Sequence, residues 1–251
     1  MKKKQVIINA DDCGMSQLVD EHIEKAILAG KITSTTIIVN KEDFEGAVAL
    51  YDKYKDMISF GWHINLTEGK PLLKSQLLLD KQYYIEQGSE VVFNGKAFWR
   101  SGISREMKKS ICKELKAQYE KLRDSGINIS HADGHHHIHT SPELMFLVPS
   151  LLEGLGIDKM RRLRNYVPYS LDYFMRKVVS GVVALRYPHI KTTDTFCYFQ
   201  EYFCNPHLPS GKTIELECHP GHPKYQEEEH YLLNFDLEKQ YNVNLINYRD
   251  L

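Results

Sequence analysis

The chain has 251 residues, of which 42% are hydrophobic and 26% are charged, and its formal net charge is −1 at pH 7. This composition is typical of a folded protein with a substantial core and excludes an intrinsically disordered chain. The balanced charge argues against a nucleic-acid-binding surface, because such surfaces concentrate lysine and arginine.

No run of about eighteen apolar residues is present, so no membrane span is expected. The apolar stretch after Lys2–Lys4 is too short for a secretory signal and lacks a small-residue cleavage site. The five cysteines are scattered and contain no Cys-x-x-Cys pair. This pattern is typical of reduced thiols and not of a disulfide framework. We therefore expect a cytoplasmic protein without nucleic-acid or membrane partners.

Short apolar runs alternate along the chain with segments of helical periodicity. The runs predicted as strands are 5–10, 34–39, 58–64, 127–132, 159–164, 194–199, 213–218 and 243–248. Predicted helices between them include 16–29, followed by Gly30, and 104–124, followed by Gly126. A further helix is predicted to begin at Ser141, with Pro142 in its first turn.

This alternation favours a mainly parallel sheet with helical crossovers. We predict an α/β fold, a (β/α) barrel of seven or eight strands that could be distorted, with a doubly wound open sheet as the competing architecture. No linker or internal repeat is visible, so a single domain over 1–251 is expected. The stretch 70–103 is weakly periodic and is predicted as an insertion that could form a lid or a homodimer contact, and 200–212 is predicted as a long loop.

Chemically active side chains follow four of the predicted strands. They are Asp11 and Asp12 after 5–10, His63 and Asn65 at the end of 58–64, Asp133, His135, His137 and His139 after 127–132, and His219 after 213–218. The carboxyl ends of parallel strands meet at one rim of a barrel or sheet, where active sites form. These side chains are therefore expected to lie close together.

The residue types in this group favour a metal site. The stretch HADGHHHIHTSP, residues 131–142, contains five of the twelve histidines. Packed histidines repel one another when protonated, whereas a divalent cation binds neutral imidazole. The adjacent carboxylates Asp11 and Asp12 also repel unless a cation is near. Two histidines and one carboxylate would form an open metal site, and the second carboxylate could accept a proton from an activated water.

Four motifs resemble those of the YdjC-like carbohydrate deacetylases. NADDCG, GWHINLT, HADGHHHIH and IELECHPG correspond in that order to NADDFG, GLHLNLT, HxDSHxHxH and ExxCHPG, and they span residues 9–221. The final LINYRDL resembles the C-terminal strand of that family. The chain departs from the family patterns at Cys13, Gly134 and Trp62. These departures concern the shape of the pocket and the choice of substrate, and they remove neither a metal ligand nor the catalytic base of the family pattern.

The resemblance implies a (β/α) barrel related to polysaccharide deacetylases. It also implies metal-dependent hydrolysis of an N-acetyl group from an amino sugar or short oligosaccharide, with release of acetate. By the motif positions, Asp12, His63 and His135 would be the metal ligands and Asp11 the catalytic base. The family is usually described with Mg²⁺, whereas the nitrogen ligands suit Zn²⁺ and its neighbours. One divalent ion per chain is expected.

The remaining polar residues receive roles in the same reaction. His219 is the predicted general acid for the departing amine, with His137 and His139 as alternatives. Contacts with the sugar are predicted for Asn65, Trp62, His137 and His139.

Two other functions are compatible with the same residues. A metal-dependent phosphoesterase would use two ions, and Asp133, His137 and His139 could supply further ligands. A non-catalytic metal- or sugar-binding protein would have no need of Asp11 beside the metal ligands.

Overall fold

The computed structural model describes residues 3–73, 82–88, 90–99, 102–165, 171–204 and 211–251. Parts of the predicted insertion over 70–103 and of the predicted loop over 200–212 lie outside these residues. The start of that predicted loop is helical, because Phe199–Cys204 forms a short helix after a strand.

The strands of the described residues are β1 (Gln5–Cys13), β2 (Ser34–Ile37), β3 (Ser59–Ile64), β4 (Tyr84–Gln87), β5 (Glu90–Phe93), β6 (Ala132–Gly134), β7 (Thr195–Tyr198), β8 (Thr213–Cys218) and β9 (Asn244–Leu245). The helices are α1 (Gln17–Leu28), α2 (Phe44–Tyr54), α3 (Arg105–Asp124), α4 (Leu144–Leu155), α5 (Leu171–Arg186), α6 (Phe199–Cys204), α7 (Gln226–Asn234) and α8 (Leu237–Tyr241). Short 3₁₀ segments cover Gly95–Trp99, His135–Thr140, Pro223–Tyr225 and Tyr248–Asp250.

The main sheet is parallel and half-barrel in form. Six strands are hydrogen-bonded in the order β6-β3-β2-β1-β8-β7, and β9 adds a short parallel pairing at the start of β1. The predicted α/β class with a parallel sheet is therefore confirmed. The predicted barrel of seven or eight strands is not confirmed, because the described strands form an open sheet.

The prediction of a regular strand over 159–164 is wrong. Only two isolated parallel bridges form there, Ala132 with Met160 and Lys159 with Lys191. These bridges continue the pairing beyond β6, but each consists of a single residue pair and the chain then leaves the sheet. The predicted strand 127–132 is displaced, since β6 begins only at Ala132.

Helices pack their apolar faces against the sheet. In α1, Val19, Ile23 and Ile27 are buried, and Ser16 caps the helix by accepting a hydrogen bond from the backbone N–H of Val19. The left-handed Gly30 follows the end of α1, as predicted. The helix predicted to begin at Ser141 begins at Leu144 instead.

The described part of the predicted insertion contains an antiparallel hairpin. In this hairpin, Tyr84 of β4 lies opposite Phe93 of β5, and Gln87 lies opposite Glu90. Nearby, the Tyr83 and Phe98 rings pack with centroids 5.2 Å apart. A homodimer contact through this insertion stays a prediction. Across the described parts of the chain, no helix combines the length and apolar character that crossing a membrane requires.

Gly14, which follows β1, is required by its backbone and by its surroundings. Its φ is +88°, and a Cβ atom there would lie 2.9 Å from the carbonyl oxygen of Ile38. We expect Gly14→Ala to lower the free energy of unfolding by about 1–3 kcal/mol, measured by urea denaturation. The matched control is Gly154→Ala in α4, where a Cβ would meet nothing within 4 Å. That variant should retain or gain stability, and equal losses in both variants would contradict this account.

Candidate active site

One cleft of about 380 Å³ collects side chains from several strand ends. Its walls are formed by Asp11, Asp12, His63, His135, His136, His137, Tyr198, Glu217, His219, His222, Lys224 and Tyr225. The predicted meeting of the polar strand ends at one rim is thus observed for β1, β3, β6 and β8.

Asp12, His63 and His135 form the tightest group of potential metal ligands. Asp12 Oδ1 lies 3.1 Å from His63 Nε2 and 2.8 Å from His135 Nδ1. Neither ring nitrogen is oriented to form a hydrogen bond with this oxygen, so the buried carboxylate oxygen has no hydrogen-bond donor. A cation would satisfy all three atoms at once, because they lie within 4.8 Å of one another. These residues therefore fit a divalent ion.

The backbone around these residues adopts left-handed conformations. Asp12 has a φ of 71°, and His136 and His137 have φ values of 51° and 54°. The chain therefore does not continue β6 in an extended conformation, since residues 135–140 form a 3₁₀ segment. His136 turns into the cleft wall as a result, and its Nδ1 lies 3.0 Å from the Thr67 hydroxyl oxygen.

Carboxylates flank the second ring nitrogen of each histidine in this group. His63 Nδ1 lies 2.6 Å from Asp133 Oδ1, which orients the other nitrogen, Nε2, towards Asp12. His135 Nε2 lies 3.3 Å from Glu68 Oε1, and Glu68 also pairs with Lys41 Nζ at 2.8 Å. The neighbouring His135 and then Lys41 lower the pKa of Glu68 to about 2, although its partial burial opposes this.

Arg161 is fully buried and contacts Asp11 and Glu217, which line the cleft. Its Nη1 and Nη2 donate to the two oxygens of Asp11, each at 2.7 Å. Nη2 also lies 2.9 Å from Asp133 Oδ2, Nε donates to Glu215 Oε1 at 2.7 Å, and Nη1 lies 3.2 Å from Glu217 Oε2. One guanidinium therefore contacts four buried carboxylates and stabilises their negative charge.

The contact with Arg161 determines the protonation state of Asp11. Burial raises the pKa of Asp11, but the adjacent Arg161 guanidinium outweighs it and holds that pKa well below the usual range. Asp11 is therefore an ionised and rigidly oriented carboxylate beside Asp12. Sequence reasoning missed Arg161, although three arginines inside the strand-like run KMRRLR are a signal that a buried partner is needed.

His219 lies on the other side of the cleft, beyond the end of β8. Its Nε2 is 3.1 Å from Glu217 Oε1, its Nδ1 is 3.7 Å from Glu228 Oε1, and its ring stacks on Tyr225 with centroids 4.4 Å apart. Burial lowers the pKa of His219, but Glu217 and Glu228 outweigh it and raise that pKa well above the usual range. His219 is therefore a protonated imidazolium at neutral pH.

His137 and Tyr198 form a neighbouring part of the wall. The His137 Nε2 and the Tyr198 hydroxyl are 2.8 Å apart, and the two rings stack with centroids 5.4 Å apart. Burial lowers the pKa of His137, which favours the neutral imidazole. Tyr198 lines the cleft, whereas the next residue, Phe199, is buried in the core.

Trp62, Asn65 and His139 do not line the cleft, so the structure lends no support to the sugar contacts predicted for them, which stay predictions. Trp62 is fully buried and packs against Tyr119. Asn65 is also fully buried: its Oδ1 accepts hydrogen bonds from Thr67, and its Nδ2 donates to Asn40 and to the backbone of Glu68. His139 is 1% exposed and lies behind His137.

Cys13 is a packed thiol. It is fully buried, and burial together with nearby Asp20 raises its pKa well above the usual range. It is therefore protonated at neutral pH and is a poor nucleophile.

Known proteins resemble this chain along its whole length. A carbohydrate deacetylase of Vibrio parahaemolyticus serotype O3:K6 is 29% identical over 232 residues, which cover 87% of this chain and 78% of that protein. A carbohydrate deacetylase of Clostridium beijerinckii is 26% identical over 275 aligned residues, which cover 98% of this chain and 100% of that protein.

A crystal structure from Enterococcus faecalis V583, described as that of a candidate cellobiose-phosphate cleavage protein, has a similar fold. It aligns with a TM-score of 0.74 and 20% identity, covering 99% of each chain. At this identity the likeness shows the fold alone.

A model of one protein family, described as YdjC-like protein, matches residues 5–244. The match runs from the first strand of the sheet to the beginning of β9 and includes all the strands that form the cleft. The chain therefore belongs to the YdjC-like family.

Proposed function

We propose that the chain is a metal-dependent carbohydrate deacetylase that hydrolyses the N-acetyl group of an amino sugar or short oligosaccharide and releases acetate. The observation that carries this proposal is the group Asp12, His63 and His135 with the ionised Asp11 on one side and the protonated His219 across the cleft. The names of the curated relatives support the same reaction and substrate class.

Asp12, His63 and His135 are the proposed ligands of one divalent cation per chain. When bound, such a cation polarises the amide carbonyl and lowers the pKa of a water molecule. Two imidazoles and one carboxylate favour Zn²⁺ or a neighbouring transition metal by ligand chemistry, while the family resemblance favours Mg²⁺.

The other residues act on protons and on the orientation of the substrate. Asp11 accepts a proton from the attacking water, and Arg161 holds Asp11 ionised and fixed in direction. His219 donates a proton to the departing amine, a role for which its raised pKa is suited. Tyr198, Tyr225 and His137 are the proposed contacts of the sugar, since their rings form the walls of the cleft.

A two-metal phosphoesterase is not favoured by the contacts of Asp11. Asp11, Glu217 and His219 are close enough together to be considered for a second ion. However, both oxygens of Asp11 are already bound by the guanidinium of Arg161. A second cation would have to compete with that guanidinium for the oxygens of Asp11.

We also propose that residues 1–251 form a single catalytic domain. A cytoplasmic location and a homodimer are parts of the same proposal. Size-exclusion chromatography with light scattering tests the oligomeric state.

The function is tested by incubating the chain with N-acetylglucosamine oligomers and, separately, with sugar phosphates. Zn²⁺, Mn²⁺, Co²⁺ and Mg²⁺ are each supplied in turn, and acetate and phosphate are both measured. We expect acetate release only, with about one metal ion per chain. Phosphate release with two ions per chain would favour the phosphoesterase instead, and metal binding without either product would favour a binding protein.

The Glu68–His135 contact predicts an effect on metal affinity. Glu68→Gln removes the carboxylate beside His135 Nε2, so we expect affinity for the divalent ion to fall by about 10- to 100-fold in a chelator-competition assay. Glu90→Gln is the matched control. Glu90 lies on the β4–β5 hairpin, outside the cleft, and pairs with Lys70 as Glu68 pairs with Lys41. Unchanged affinity in Glu68→Gln would show that Glu68 does not hold His135.

A further inference from the structure

Buried polar atoms that lack a hydrogen-bond partner occur at several places in the described chain, and two groups of them belong to residues that line a cavity. One cavity is the cleft, where the proposed cation and substrate account for them. The second is a pocket of about 70 Å³ that is partly covered by α5. The unpartnered atoms of residues that line this pocket are both ring nitrogens of His139, Nε of Arg162 and Oγ of Ser180.

The remaining walls of the pocket are mainly apolar. Met145, Met160 and Ile190 lie on one side, and Val179 and Val183 of α5 lie on the other. The volume of about 70 Å³ is enough for about five water molecules or for one molecule with four or five non-hydrogen atoms. A ligand that fits these walls has a short apolar end and a polar end that accepts hydrogen bonds.

The charge of Arg162 identifies the polar end. Nη1 of Arg162 donates to the backbone oxygens of Thr193 and Asp194, and no carboxylate of the described residues lies within ion-pair distance of its guanidinium. The carboxylate of Asp194 accepts hydrogen bonds from the backbone N–H groups of Lys212 and Thr213 instead. Asp194 attracts the guanidinium from beyond ion-pair distance, but burial outweighs this attraction and lowers the pKa of Arg162, so an anionic ligand would stabilise its charge.

Arg161 differs from Arg162 in this respect, although both line the pocket. Four carboxylates surround Arg161, so its charge is already compensated. The free donor capacity of the pocket is therefore that of Arg162, His139 and Ser180.

We propose that this pocket binds a small monocarboxylate of the size of acetate, with its carboxylate at Arg162, His139 and Ser180 and its alkyl end among the methionine and valine side chains. The pocket lies next to the cleft, because the pocket residue His139 packs against the cleft residue His137, and the pocket residue Arg161 binds Asp11 of the cleft wall. Its use as a site for the released acetate rests on the proposed function, but the binding itself does not.

The methionines provide a direct test of binding. The chain has seven of them, and Met145 and Met160 line the pocket, whereas Met57 and Met175 are 59% and 52% exposed elsewhere. The full chain is labelled with ¹³C at the methionine methyl groups, freed of metal with a chelator and titrated with sodium acetate. We expect saturable shifts of the Met145 and Met160 signals and none at Met57 or Met175. Sodium chloride at equal ionic strength should produce no saturable shift.

Two pairs of variants make the assignment specific. Val183→Phe fills the pocket from α5, and Val182→Phe is its control on the exposed face of the same helix. Arg162→Gln removes the uncompensated charge, and Lys177→Gln is its control on the surface of α5. We expect Val183→Phe to abolish acetate binding, Arg162→Gln to weaken it by roughly tenfold or more, and both controls to bind as the wild type does.

The proposal is overturned if acetate causes no saturable shift, which would mean that the pocket holds only water. It is also overturned if chloride shifts the same signals equally, or if a folded Val183→Phe or Arg162→Gln variant binds acetate as the wild type does. Because the titrated protein contains no metal, a positive result stands even if the chain releases no acetate from sugars. A negative result would equally leave the proposed deacetylase reaction intact.

Discussion

Asp11→Asn is expected to lower kcat for acetate release by about 10²- to 10⁴-fold, the contribution typical of a general base. The asparagine keeps the shape of the side chain and one acceptor for Arg161, but it cannot take up a proton. Metal affinity is expected to change little, because Asp12, His63 and His135 retain their ligand atoms. Steady-state kinetics with the metal-loaded variant, together with a chelator-competition measurement, separate these two effects.

The control for this variant is Asp52→Asn, a surface aspartate whose side chain is 67% exposed and pairs with Lys55. It should leave both kcat and metal affinity unchanged. An Asp11→Asn enzyme with full activity would remove Asp11 from the role of base. A large loss of metal affinity would instead identify Asp11 as a ligand.

Arg161→Met is expected to have the largest effect on stability. The substitution leaves Asp11, Asp133, Glu215 and Glu217 buried without the cation that compensates them. Breaking a buried ion pair in this way costs about 3–5 kcal/mol, which is a large fraction of the stability of a typical domain. Urea denaturation at pH 8 measures the loss, because there Glu215, whose pKa burial raises to about 7, is ionised as well.

The effect of Arg161→Met has a predictable dependence on pH. Arg161 lowers the pKa of Asp11 in the folded state. The resulting stabilisation is present above the unfolded pKa of about 3.9 and is lost as the pH falls through the lower folded value. For this group, the difference between wild type and variant should therefore shrink in acid.

Arg123→Met is the matched control for Arg161→Met. Arg123 pairs with Asp124 on the surface, with side chains 59% and 67% exposed, so its loss should cost less than about 1 kcal/mol. If Arg161→Met were equally mild, the buried network would not support the fold of the cleft.

The sequence was sufficient to predict the residues at the strand ends. The apolar runs that became β1, β3 and β8 each carry a polar residue that lines the cleft, either near the carboxyl end of the strand or directly after it. Parallel pairing then brings Asp11, Asp12, His63 and His219 to one rim regardless of the number of strands. The parallel sheet was predictable for the same reason, because helices alternate with strands along most of the chain.

Interactions between distant residues could not be predicted from local patterns. Arg161 lies 150 residues from Asp11, and only the folded sheet reveals that they pair. Packing against α3 likewise decides the burial of Trp62 and Asn65, since Tyr119 packs against the first and Gln118 bonds to the backbone of the second. The left-handed turn at His136 and His137 separates side chains that an extended chain would place on alternating faces.

The most direct test of the central claim is acetate release by the metal-free chain during stepwise return of a divalent ion. The account predicts that acetate release from N-acetylglucosamine oligomers is absent without metal and reaches its maximum at about one ion per chain. His135→Ala, which lacks one of the three ligand atoms, should need much more metal to reach any activity. Full acetate release by the metal-free chain, or by His135→Ala without added metal, would contradict the account.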